Sequence, residues 1–141
     1  MKLNLNRLIA FAAVFFFAMV SVAAAQLGEF GDLVNKINDA RDSLTTMIQN
    51  PKKRDEAQQK RVKDTADAVS AALARIKVTN PDKEYRFKVL TETWAAFKKT
   101  REEVLVPLIL QGKDQEAINI ASGIQAERLG KMISLCEELG Y

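Results

Sequence analysis

Residues 80–112 read NPDKEYRFKVLTETWAAFKKTREEVLVPLILQG, and they predict one long helix from its first cap to its last. Asn80 is a good N-cap, and Pro81 suits the first helical position, where its missing N–H costs nothing. Asp82 and Glu84 place negative charge where the helix dipole favours it. Phe87, Leu90, Trp94, Phe97, Arg101, Val104 and Leu108 then recur three or four residues apart, the spacing of one buried helical stripe. Gly112 is placed to close the helix in the left-handed conformation. Pro107, inside the helix near its end, is expected to remove the hydrogen bond to the Glu103 carbonyl and to kink the last turns.

The same logic extends in both directions. Asn50-Pro51 is a second strong break, because the residue before proline disfavours helical dihedrals. Residues 27–49 before it carry Phe30, Leu33, Ile37, Ala40, Leu44 and Met47 on one face. After the basic turn Pro51-Lys52-Lys53-Arg54, a helix from about residue 55 carries Val62, Ala66, Val69, Leu73 and Ile76. Beyond Gly112, a fourth helix starts near Asp114, read as its N-cap, and runs to Leu139 with Ala117, Ala121, Ile124, Arg128, Met132, Leu135 and Leu139 as its stripe. No run of alternating β-branched residues appears. Short connections make consecutive helices antiparallel neighbours. The expected fold is therefore all-α, an up-down-up-down antiparallel four-helix bundle over residues 26–141. A helical hairpin that dimerises into a four-helix assembly is the other arrangement such stripes allow.

Residues 1–25 are of another kind. Lys2 and Arg7 form a positive n-region. Residues 8–22 are uncharged and hold four of the chain's seven phenylalanines, and Ala23-Ala24-Ala25 is a small-residue cleavage signal. The expectation is a signal-peptide helix, Gln26 as the mature N-terminus and a periplasmic location. The rival is a membrane anchor over residues 8–25, at the short edge of the ~17–25 residues a span requires. With Lys2 and Arg7 removed, the 21 basic and 18 acidic residues come almost into balance, so nucleic acid is not an expected partner.

Composition excludes much chemistry. The chain has no histidine and a single cysteine, Cys136. That rules out an intramolecular disulfide, cysteine-rich zinc sites, c-type haem attachment and Ser-His or Cys-His nucleophiles. No glycine-rich phosphate loop is present. Met47 and Met132 are the only pair that suggests a protein-only haem or copper site, and methionine is more often a gap-filler in a core. The chain is expected to be no enzyme, with no cofactor and no metal. Cys136 is read as a buried thiol, with an intermolecular disulfide as the alternative.

What remains are two arginines and two aromatics. Arg101 and Arg128 interrupt apolar stripes. Arg101 lies 11 residues before Gly112 and Arg128 lies 16 after it, which puts them within about 8 Å along the bundle axis. Guanidinium forks at that spacing suit a carboxylate or phosphate; the plain reading is that each snorkels from the seam edge or pairs with a nearby glutamate. Trp94 and Phe97 share the Arg101 stripe and are read either as the lining of an apolar pocket or as core. Trp94, Phe97, Arg101 and Arg128 are the candidate ligand-binding residues, for a small anionic ligand.

The stretch TETWAAFKKTREEVLVPLILQGKDQEAINIASG, residues 91–123, resembles the periplasmic four-helix-bundle sensor domain of methyl-accepting chemotaxis receptors. The likeness rests on Trp94 and Phe97 in the third helix, on Gly112, Asp114 and Ala117 opening the fourth, and on the break Thr79-Asn80-Pro81-Asp82. Such receptors carry a second membrane span and a cytoplasmic signalling region, so the resemblance implies a stand-alone sensor domain that binds a small ligand or docks on a receptor or other envelope protein. A structural or interaction bundle, as a homodimer or with another chain, is the alternative function. Length and layout are also similar to the periplasmic four-helix b-type cytochromes, whose haem needs a histidine this chain lacks.

Overall fold

The computed structural model describes residues 28–141, and these are all-helical, with no strand among them. The expected signal peptide and its cleavage point lie outside the described residues. The elements are α1 (Glu29–Gln49), α2 (Glu56–Arg75), α3 (Pro81–Thr100), a π-helical turn (Arg101–Leu105), α4 (Val106–Leu110), α5 (Asp114–Ser122) and α6 (Ile124–Gly140). None of these helices is long and apolar enough to cross a membrane.

The caps follow from local chemistry. The Asn80 side chain accepts from the Asp82 N–H at 2.9 Å and Pro81 opens α3. Asp55 caps α2 by accepting from the Gln58 N–H at 2.9 Å. Gly112 has φ +72°, and the bonds Gly112 N–H to Ile109 O (3.1 Å) and Lys113 N–H to Leu108 O (2.9 Å) form a Schellman closure behind α4. Asp114 is not the N-cap expected for it. Lys113 holds that position without a side-chain bond, and Asp114 instead pairs with Arg54 at 3.0 Å.

All the stripe residues expected in α1 and α2 are buried. The later stripes change register. In place of Val104 and Leu108, the buried residues after Arg101 are Leu105 and Ile109, while Val104 is 39% exposed. The cause is the π turn, in which the Val106 N–H reaches back five residues to the Arg101 carbonyl. A π turn inserts one extra residue into the helix and moves every later side chain one position round. It also opens the coil ahead of Pro107, whose ring would meet the Glu103 carbonyl in a regular helix. Proline is therefore accommodated by widening.

The last helix slips in the same sense. Its buried residues run Ala117, Ala121, Gln125, Leu129, Met132, Cys136 and Leu139. Ile124, expected inside, is 45% exposed, and Leu135 and Arg128 are half-buried. The break is Gly123, at φ −95° and ψ −109° between α5 and α6. A Cβ there would stand 2.9 Å from the Asn119 carbonyl oxygen, so the backbone closes on itself as only glycine allows.

Helix α2 packs on α1, α3 packs on α6, and α6 also packs on α1. The α2 and α3 backbones scarcely approach each other. Long side chains cross that seam instead: Trp94 Nε1 donates to Ser70 Oγ at 3.0 Å and Lys98 pairs with Asp67 at 3.6 Å. The apolar interior falls into two clusters. The larger includes Leu33, Ile37, Val69, Leu90, Trp94, Phe97, Met132 and Cys136; the smaller includes Leu44, Met47, Val62, Leu105, Ile109 and Ala117. Each fully buried aliphatic side chain contributes roughly 1.5–3 kcal/mol. Between the clusters lies a polar layer centred on Arg101.

Candidate functional site

Arg101 is 0% exposed, the largest fully buried side chain among the described residues. The first residue of the π turn, it reaches across to α1 and α2. Nη1 donates to the Ala40 carbonyl. Nη2 donates to Val62 O at 2.8 Å, Ser43 Oγ at 3.0 Å and Thr65 Oγ1 at 3.4 Å. The two hydroxyls lie 2.9 Å apart, and Ser43 passes the chain on to Ala40 O at 2.8 Å. Every one of these acceptors is neutral, and Nε has no acceptor at all. Burial therefore pushes the guanidinium down to about 10, opposed by the charge of Glu102. It stays protonated at neutral pH, a net positive charge in the interior.

Two hollows adjoin it. An open cleft of about 480 Å³ lies on the α2 side, lined by Gln59, Lys60, Val62, Lys63, Arg101, Glu102 and Val106. Lys63 on its rim is held above the ordinary lysine range by its hydrogen bond to Asp67 and then by that carboxylate's charge. On the opposite side is a small cavity of about 20 Å³, bounded by Arg41, Thr45, Phe97, Arg101, Leu105, Gln125 and neighbouring apolar groups.

The structure does not bring Arg101 and Arg128 together: among the described residues they have no acceptor in common. Arg128 is half-buried and donates to Thr100 Oγ1 (2.8 Å), Gln125 Oε1 (3.0 Å) and Ala96 O (3.4 Å). It borders a different groove, with Val89, Glu92, Ile124 and Lys131. The register slip at Gly123 rotates it out of the stripe, and it covers hydroxyl and carbonyl groups just ahead of the π turn. Gln125 does the same from within, donating to Phe97 O at 2.9 Å. Trp94 and Phe97 are core: 3% and 4% exposed, stacked with ring centres 5.7 Å apart. Only Phe97 of the two borders the small cavity.

Sequence reasoning missed Ser43, Thr65 and Gln125. Ser43 and Gln125 stand beside the stripe residues Leu44 and Ile124 in sequence, and only the packing shows them buried. In the sequence Arg54 is only one residue of a basic turn. Arg54 in fact donates to Met47 O at 2.8 Å and Ile109 O at 3.0 Å and pairs with Asp114, joining two helix C-termini to the start of α5. Cys136 is 0% exposed, and burial, with a smaller push from Glu137, raises its thiol to about 12. A thiol so placed cannot reach a second chain, so the intermolecular disulfide does not fit. No cluster among the described residues has the acidic or sulfur ligands to hold a metal ion. No protein-family model, no curated protein and no solved structure matches this chain.

Proposed function

We propose that this chain is an exported four-helix-bundle binding domain of the chemotaxis-sensor type, and that it takes a small anionic ligand in the cleft between α2 and the π turn. The observation that carries this reading is a buried guanidinium without a carboxylate partner beneath a cleft of about 480 Å³. That volume lies in the range of small-molecule sites. In a poorly solvated interior, a charge below the cleft floor favours an anion above it. Lys60 and Lys63 on the rim supply direct contacts; each is already in an i,i+4 pair with Asp64 or Asp67 that a stronger anion would displace. The up-down-up-down arrangement is supported by the short connections and by the packing of α1 on α2 and of α3 on α6. Export is supported by the pattern of residues 1–25, and N-terminal sequencing of protein from the envelope fraction should begin at Gln26.

Thermal melts and calorimetry against a panel of organic acids and phosphate monoesters test the binding reading. At least one class should bind at submillimolar concentration, and Lys60→Glu with Lys63→Glu should weaken it at least tenfold. No response to any class at millimolar ligand would sink the idea. An interaction bundle is the second reading, favoured by the exposed Val104, Leu110 and Ile124. Light scattering that finds a strict monomer, together with a clear ligand, would remove it.

A further inference from the structure

We propose that the end of the bundle formed by residues 50–54 and 110–113 is a docking tip for the surface of an anionic lipid bilayer. Two connections meet there, and Arg54 joins them. Its guanidinium donates to Met47 O at 2.8 Å and Ile109 O at 3.0 Å and pairs with Asp114 at 3.0 Å, so it covers the carbonyl ends of α1 and α4. The other cations of the tip are left free. Lys52, Lys53 and Lys113 are exposed, and among the described residues their ammonium groups have no hydrogen-bond or ion-pair partner. Lys36, Lys60, Lys63 and Lys88, by contrast, are each held in an i,i+4 pair. Residues 50–54 and 110–113 include no acidic residue. Of the carboxylates that follow them, Asp55 caps α2 and Asp114 is on Arg54, while Glu56 and Glu116 stand in the first turns of α2 and α5.

The second observation is apolar. Residues 104–110 read VLVPLIL, an unbroken apolar run that leads into the tip. A helix can turn only one face inward, so the core takes Leu105 and Ile109 and leaves Val104 39% and Leu110 47% exposed. Leu110 projects at the very end of α4, in the turn that Lys113 closes. A projecting leucine among free lysines suits a bilayer: the apolar side chain enters the headgroup boundary while the ammonium groups meet lipid phosphates. A folded protein is the poorer fit, because two short connections fall well below the roughly 20–30 residues per side of a stable interface. The tip is separate from the α2-side cleft, which none of its residues lines. It is also separate from residues 8–25, because the 21 residues of α1 put about 30 Å between the tip and the start of the described chain.

The test is flotation of the exported chain with phosphatidylcholine vesicles, with and without roughly 30% phosphatidylglycerol. Binding should require the anionic lipid and weaken as salt rises. Lys52→Gln with Lys53→Gln should weaken it roughly twentyfold, at about fivefold per lysine, and Leu110→Ser about tenfold. All three side chains are exposed, so both variants should fold. Lys77→Gln with Lys131→Gln, equal in charge and away from the tip, should bind as wild type does. An environment-sensitive dye on Leu110→Cys should shift to the blue on the anionic vesicles, while the same dye on Tyr141→Cys, at the opposite end, should not; Cys136 is buried and stays unlabelled. No flotation at low salt would overturn the proposal, whether or not an acidic protein then takes the tip. So would equal binding to neutral lipid, a dye shift at residue 141 instead of 110, or binding that ignores the tip substitutions, as attachment through residues 8–25 would.

Discussion

Arg101 sets an unusual balance at the scale of one residue. Breaking a buried ion pair is destabilising because it strands a charge, but here no opposite charge would be stranded. The neutral acceptors Ala40 O and Val62 O belong to helix backbones that keep their own ladder bonds. Arg101→Met, similar in volume, is therefore expected to be neutral or stabilising by about 1–3 kcal/mol. Arg101→Ala, which leaves a void, should cost about 2–5 kcal/mol. Urea denaturation checks both, and a loss in Met as large as in Ala would mean that the guanidinium holds the fold together. Cys136 gives a pH signature. Its thiol ionises near 9 when unfolded and near 12 when folded, so above pH 9 the unfolded chain binds fewer protons. Stability should fall as pH rises from about 9 to 12, by up to about 1.4 kcal/mol per pH unit from this group. Cys136→Val should lack that component. Native protein should also resist thiol reagents until it unfolds.

At the scale of elements, the π turn behaves as a one-residue insertion. Deleting Glu103 together with Pro107→Ala should convert Arg101–Leu105 to regular helix while keeping Leu105 and Ile109 inside. The variant is expected to fold with nearly unchanged helicity by circular dichroism. Deleting Ala95 instead, in the regular part of α3, rotates Phe97 and all later core residues and should cost several kcal/mol. Equal damage from the two deletions would contradict the insertion account. The polar side chains of α6 explain why the widened turn persists: Gln125 and Arg128 bond groups at Ala96, Phe97 and Thr100 that sit at its entrance.

Across the whole molecule, α2 has one extensive neighbour, α1, whereas α6 has two. Its other seam is held by Trp94, Lys98 and Arg101 reaching over. Elements with few packed neighbours open at lower free energy than the global unfolding. Native-state hydrogen exchange should therefore find α2 opening sub-globally, with α1, α3 and α6 protected to near the global limit. Uniform protection of all four would show the seam to be as tight as the others. The opening α2 edge is also the one beside the Lys60–Lys63 cleft, so a ligand there should raise α2 protection first.

Local chemistry decided the helical class, the breaks at Asn50-Pro51 and Asn80-Pro81, the closure at Gly112 and the buried faces of α1 and α2. Each depends on neighbours within one or two turns, so periodicity and capping residues carry it. Tertiary structure decided the rest. Whether Val104 or Leu105 turns inward depends on a π turn that costs backbone regularity and is compensated by Gln125 and Arg128 on another helix. Whether Ile124 or Gln125 does so depends on the same contact level seen from the other side. The direction of Arg101 depends on the hydroxyls of Ser43 and Thr65, 58 and 36 residues away along the chain. No helical period encodes such partners, because they are chosen only when three helices meet.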